Sequence, residues 1–216
     1  MADQPFTVRP SAIEMVEDLA AIQRACFPTI SADELFLAEH YAAHIKRFPE
    51  GQLMVVETAS GRPVACSTDL RRHMDMVHIQ HRFSEAIGGM FLTAHEPDGD
   101  WLYGADIGVH PDYRGHRLSS LLYQARHQLV RDLGLRGHVA GGYLAGYGAV
   151  KDQMSVEDYV AKVQSGEIWD ATSSIQLKRG YRVHGILQHY VDDPLCDNKA
   201  CFIIWDNPDL QDSRSS

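Results

Sequence analysis

Four consecutive residues, Arg114-Gly115-His116-Arg117, sit between an apolar run that ends at Val109 and a helix-patterned stretch that opens at Leu118-Ser119, with a turn at His110-Pro111-Asp112. Their chemistry is anion binding. The N–H groups of a first helical turn lack intrahelical partners and point at whatever lies in front of them, and the helix dipole favours negative charge there. The guanidinium groups of Arg114 and Arg117 can chelate phosphate oxygens. The loop follows neither common nucleotide pattern. GxxxxGK[ST] is absent, and the glycines at 141, 142, 146 and 148 lack the GxGxxG spacing.

A strand and a helix must position this loop. Leu118, Leu121, Leu122, Ala125, Leu129 and Leu133 recur at helical spacing, and Gly134 stands where a left-handed closing residue is expected. Trp101–Val109 reads as a largely buried strand. Elsewhere, 6–10 is a short strand. Ser11-x-x-Glu14 and Ser31-x-x-Glu34 have the form of capping boxes, predicting helices to about Phe27 and about Phe48. Strands over 53–58 and 64–69 flank Ser60-Gly61-Arg62-Pro63 as a hairpin. A strand over 137–142 follows the main helix. Asp170 can cap a helix running to Arg179, and strands over 181–191 and 201–205 finish the pattern. Two stretches are long for loops, a helical or irregular excursion over 70–100 and an insertion over 143–169 with a short helix from about Ser155 to Gln164. Long loops are often lids or binding loops, and Arg71-Arg72-His73 in the first can meet an acidic group. The result is one α/β domain over 5–207 with a mixed sheet, then a polar, frayed tail over 208–216.

Composition narrows the class. The 216 residues are 44% hydrophobic and 23% charged, with a formal charge of −9. These values fit a globular domain and speak against a nucleic-acid footprint. No apolar run approaches a membrane span and no basic-then-apolar leader opens the chain, so a cytoplasmic location is expected. Cys26, Cys66, Cys196 and Cys201 lack paired CxxC spacing and read as reduced thiols. Twelve histidines raise a metal reading. His78-x-x-His81 with His73 nearby lacks a completing Cys or carboxylate at usual spacing, and no metal is expected.

Val109 to Leu118, as Val-x-Pro-x-Tyr-Arg-Gly-x-x-Leu, resembles the acetyl-CoA-binding segment of the GNAT (GCN5-related) N-acetyltransferases. That family's loop pattern, Gln/Arg-x-x-Gly-x-Gly/Ala, falls on Arg114 to Ser119. The first position matches, Arg117 stands where the family has glycine, and Ser119 replaces the last small residue. Gln176 to Tyr181 resembles the family's late helix-to-strand junction. Residues 154–170 are similar, more weakly, to GNAT modules fused to carbon–nitrogen hydrolases. The resemblance implies the GNAT-like acyl-CoA N-acyltransferase fold, a mixed, mostly antiparallel sheet flanked by helices. In it the strand ending at Val109 and the next one splay apart, and the pantetheine arm of CoA enters the gap. The implied cofactor contacts are Ile107, Gly108, Val109, Arg114, Gly115, His116, Arg117, Leu118 and Ser119.

The reaction then implied is acyl transfer from acetyl-CoA to an amine of a small molecule or peptide. A lysine-like amine is about a thousandth neutral at pH 7, a cost near ~4.6 kcal/mol. Asp106, on the cofactor strand, is the candidate base or amine anchor, with a structural carboxylate as its alternative. The family's thiolate acid is often a tyrosine four residues before the late glycine, where this chain has Gln176. Tyr143, Tyr147 and Tyr159 are replacements to consider, Tyr147 foremost, with packing roles as the alternative. A glutamine there equally fits a catalytically silent acyl-CoA-binding module, and the loop alone fits an unrelated anion-binding α/β protein. CoA and an amine are the expected partners, a homodimer stays open, and neither nucleic acid nor membrane is expected.

Overall fold

The computed structural model describes residues 4–212. Seven strands form one sheet: β1 (Phe6–Pro10), β2 (Gln52–Glu57), β3 (Pro63–Arg72), β4 (Trp101–Val109), β5 (Gly137–Tyr143), β6 (Arg182–Leu187) and β7 (Ala200–Asp206). Their spatial order is β1-β2-β3-β4-β5-β7-β6. Every neighbouring pair is antiparallel except β4–β5, which is parallel. The parallel pair is the one joined by a helical crossover, as chain geometry requires. That helix is α4 (Leu118–Asp132); the others are α1 (Val16–Cys26), α2 (Ala38–Arg47), α3 (Phe83–Ile87), α5 (Val156–Ser165), α6 (Ser173–Lys178) and α7 (Pro208–Asp212).

The β4–β5 pair is joined only at Leu102–His138, Tyr103–Val139 and Gly104–Ala140. Both strands run on, to Val109 and Tyr143, and stay hydrogen-bonded on their outer edges to β3 and β7. The sheet therefore carries a wedge-shaped gap above Gly104. A β-carbon at position 104 would lie 2.7 Å from the His138 ring, so the last rung depends on glycine.

Neither capping box forms. Ser11 is held by its backbone N–H on the Gln52 carbonyl (2.8 Å), a 3-10 turn follows at Ile13–Met15, and α1 begins at Val16. Ser31 Oγ bonds the Asp33 carboxylate (2.5 Å), while Glu34 accepts the Asp192 N–H (2.6 Å) from across the fold. These bonds take the capping groups, and α2 starts only at Ala38. The 70–100 excursion folds back on the end of β3. Arg71 donates twice to the Gly99 carbonyl (3.0 and 2.8 Å) and Arg72 pairs with Glu96 (3.2 Å). The tail expected to fray opens as α7, tied by Arg131 to Asp209 (3.5 Å); residues 213–216 lie outside the described residues. Asp170 does begin α6, its Oδ1 accepting the N–H groups of Thr172 (2.9 Å) and Ser173 (2.8 Å).

Candidate active site

The gap between β4 and β5 holds two adjoining cavities. The outer one is a cleft of about 580 Å³ walled by Ile107–Val109, the loop from Tyr113 to Ser120 and the start of α6. At its floor lies the α4 N-terminus, which has no side-chain cap; the Ser120 N–H bonds the Arg117 carbonyl (2.9 Å), which leaves the N–H groups of Leu118 and Ser119 for a ligand. Gly115 has φ +87°, a left-handed conformation that suits glycine. Arg117 is left-handed too, at φ +60°, which accounts for the glycine that the GNAT loop pattern has at this position. Arg114 and Arg117 flank the floor. From the far wall Arg179 faces them, its Nη2 on Ser120 Oγ and its buried Nε without a hydrogen-bond partner. Three arginines, Arg114, Arg117 and Arg179, thus line the cleft.

The strand edge above this floor is open. The His110 N–H bonds the Val64 carbonyl (2.9 Å), so the preceding residue turns its carbonyl and N–H away from β3. Cys26 Sγ donates to that Val109 carbonyl (3.2 Å). The Val109 N–H lies on the same edge, facing the gap. The Cys26 thiol is pushed up to about 12, by burial first and by the Asp106 charge next, and stays protonated as a donor.

The inner cavity is a chamber of about 110 Å³ behind the gap. Phe27, Ile107, Tyr123, Tyr143 and Thr172 line both spaces and form the passage between them. Asp106 lies in the chamber wall, 7% exposed. Burial raises its carboxyl to about 6, against the opposing pull of Arg126 and of hydrogen bonds from Tyr41, Gln23 and the Ile107 backbone. The Tyr41 phenol donates to its Oδ2 at 3.2 Å. A carboxylate of that pKa accepts a proton near neutral pH. Gln176 also faces the chamber. Its side chain bonds the Tyr123 phenol, and its buried Oε1 has no partner.

Behind the chamber runs a buried polar row. Arg126 Nε donates to Asp69 Oδ2 (2.9 Å), His138 Nε2 meets Asp69 Oδ1 (3.0 Å), and Tyr181 bridges His138 Nδ1 (3.0 Å) and His127 Nε2 (3.2 Å). Arg126 also donates to the carbonyls of Thr68 (3.3 Å) and Asp106. It pins β3 and β4 together where their register shifts between Thr68 and Asp69. Burial keeps His138 below its ordinary pKa, hence neutral.

The sequence-predicted residues divide. Ile107, Gly108, Val109, Arg114, Gly115, Arg117, Leu118 and Ser119 all line the outer cleft. His116 does not; its ring leans on Phe6 (5.5 Å). Tyr147 is displaced from the reaction. It is buried against Tyr159 (5.5 Å) and under Lys199, and lines neither cavity. Tyr159 donates to Asp170 (2.9 Å) and is likewise structural. Tyr143 stands in the passage, but its phenol donates to Asp193 (2.5 Å), and burial with that carboxylate raises its pKa, a poor setting for an acid. The Arg71–His73 triplet is spent on the excursion: His73 takes Glu96 through its N–H (2.7 Å). His78 bonds Asp75 (2.8 Å) and His81 bonds Tyr103 (2.9 Å), each as a local tie.

Gln23, Glu34, Tyr123, Arg126 and Arg179, which line the two cavities, were not among the site residues expected from the sequence. Arg126 carried a signal: with Leu118, Leu122 and Val130 it falls on one i, i+4 line, and a charge inside a buried stripe must be paired.

No protein-family model matches the chain. Over 208 residues it is 30% identical to "Probable hydrolase YhcX" of Bacillus subtilis, covering 96% of this chain and 40% of that longer protein. It is 29% identical to "Uncharacterized N-acetyltransferase YkwB" of the same organism, covering 94% of this chain and 90% of that one. Among solved structures it is similar to the GphF GNAT-like decarboxylase in complex with isobutyryl-CoA, with TM-score 0.78, 22% identity and 93% and 99% of the two chains covered. It is similar to the loading GNATL domain of CurA from Lyngbya majuscula, with TM-score 0.75, 17% identity and 94% and 98% covered. It is also similar to "yncA, a putative ACETYLTRANSFERASE from Salmonella typhimurium with its cofactor Acetyl-CoA", with TM-score 0.56, 14% identity and 94% and 95% covered. The gapped seven-stranded sheet and these likenesses agree: the chain has a GNAT-like fold, from β1 to the end of β7.

Proposed function

We propose that the chain is an acyl-CoA-dependent N-acyltransferase, with acetyl-CoA as donor and an amine of a small molecule or peptide as acceptor. One observation carries the reading: a cationic outer cleft and a carboxylate-bearing inner chamber meet where the sheet opens. The loop N–H groups with Arg114, Arg117 and Arg179 hold the pyrophosphate. The Ile107–Val109 edge pairs with the pantetheine arm and sets the thioester at the passage. The amine nitrogen adds to the thioester carbon, and the Val109 N–H receives the developing oxyanion. The C–S bond breaks, and Asp106 takes the proton that the nitrogen loses. Among the described residues the two phenols at the passage, Tyr123 and Tyr143, are both pushed up by burial, so the thiolate leaves into the open cleft and is protonated by solvent. The names of YkwB and yncA support an amine acceptor and the acetyl group.

Fold similarity to a GNAT-like decarboxylase favours a second reading, loss of CO2 from a carboxylated acyl-CoA. The chamber opposes it, because Asp106 and Glu34 both face inward and repel a free carboxylate. Thiol release from acetyl-CoA over an amine panel, run beside CO2 release from malonyl-CoA, decides between them. CoA binding with neither reaction would instead identify a silent module, the reading that Gln176 allows.

A further inference from the structure

The acceptor can be narrowed, on the transferase reading above, by what the inner chamber lacks. Asp106 and Glu34 are both more than nine-tenths buried and both line it. Among the described residues neither carboxylate has an ion-pair partner within 4.0 Å, and the nearby Arg126 is committed to Asp69. A buried charge without a counter-charge is costly. Gln176 adds a third acceptor, an amide oxygen buried in the same wall with no donor. Phe27, Ile30, Phe83 and Val191 give an apolar part of the wall, beside Tyr123, Arg126 and His138, which are tied into the hydrogen bonds described above. At about 10–15 Å³ per water-sized site, 110 Å³ holds roughly ten non-hydrogen atoms.

We propose that the chamber selects a compact diamine-type acceptor: one nitrogen at Asp106 to be acylated, a second, positively charged group at Glu34, and a short apolar spacer between them. Gln23 lines the chamber with both carboxylates. Its side chain bonds Asp106, and its Oε1 accepts the Phe36 N–H (2.5 Å), two residues beyond Glu34. Glu34 is held by one oxygen on the Asp192 N–H (2.6 Å), which leaves the other for the ligand. Gln176 Oε1 takes an N–H of the ligand. A peptide of several residues exceeds the space.

The test is initial-rate thiol release from acetyl-CoA with putrescine, butylamine and a tetrapeptide, on the unmodified protein and on Glu34→Gln. Glutamine keeps an oxygen for the Asp192 N–H, and a thermal melt verifies the fold. The expected result is a higher kcat/KM for putrescine than for butylamine or the peptide. In Glu34→Gln the putrescine-to-butylamine ratio falls about tenfold or more, the scale of a lost charge-assisted hydrogen bond. Turnover of the peptide above both amines, or an unchanged ratio in Glu34→Gln, overturns the inference while the transferase reading stands. Release of thiol from no amine overturns both.

Discussion

The outer cleft takes its longest wall from one stretch of chain, Ile107 to Ser120, and is lined by three arginines. The inner chamber draws Gln23, Glu34, Asp106, Gln176 and Tyr190 from separate elements and carries two carboxylates. The first is a product of local conformation: two left-handed residues, an uncapped helix and an unpaired strand edge. The second exists only once α1, the segment before α2, α6 and the β6–β7 connection have closed on the sheet. On the proposed reading their opposite charges also sort the reactants, since an anionic cofactor is repelled from the chamber and a cationic amine from the loop.

If the two cavities have separate tasks, substitutions in one should leave the other's task intact. The sharpest case is Asp106→Asn. Turnover should fall about a hundredfold or more, within the range of a general base, with acetyl-CoA affinity by calorimetry nearly unchanged. The rise of kcat/KM through about pH 6 should disappear, leaving only the rise that follows the amine's own deprotonation. Stability should move the opposite way. The folded-state pKa is raised from 3.8 to about 6, so the ionised group opposes folding, and stability present below pH 3.8 is lost as pH rises through 6. Asn removes that cost, so denaturant melts above pH 6 should show the variant more stable, by on the order of 2 kcal/mol. Equal losses of turnover and cofactor affinity would break the division.

Gly115→Asp tests the other side. It forces a side chain onto a φ of +87° and places a carboxylate before the phosphates. Acetyl-CoA affinity should weaken by about tenfold to a hundredfold; unchanged calorimetric affinity in the folded variant removes the loop from the cofactor site. Arg117→Gly separates conformation from charge. Glycine relieves the left-handed strain and should raise stability by about 1 kcal/mol, while affinity falls by about 1–3 kcal/mol if the guanidinium meets phosphate. Tighter binding would deny Arg117 that contact. The smallest effects belong to the tyrosines. Tyr143→Phe and Tyr147→Phe should each leave turnover within a few-fold, and a loss of about a hundredfold in either would identify an acid.

The same division governs what the sequence disclosed. The strand, the loop, α4 and the order of elements along the chain are written in short-range patterns, so they were readable, as was the place of Asp106 on β4. Glu34 was read as part of a capping box because the local motif gives no hint of the Asp192 N–H, 158 residues away, that claims it. Tyr147 looked catalytic from its position after β5, and the fold turned it toward Tyr159. Arg126 was hidden because the leucines beside it suggested a stripe rotated from the one α4 buries, and its partner Asp69 lies on another strand.

Arg126 has one more consequence. An arginine locked between Asp69 and the carbonyls of Thr68 and Asp106 is a strut inside the sheet, set beside the place where β4 and β5 separate. The opening is therefore held by the protein's own charge and not by its occupant. On the proposed reading, a cofactor entering it meets a finished slot and joins the sheet as an eighth, borrowed strand, with little ordering left to do. Its binding heat capacity should reflect the surface it covers and no more, the mark of a rigid receptor.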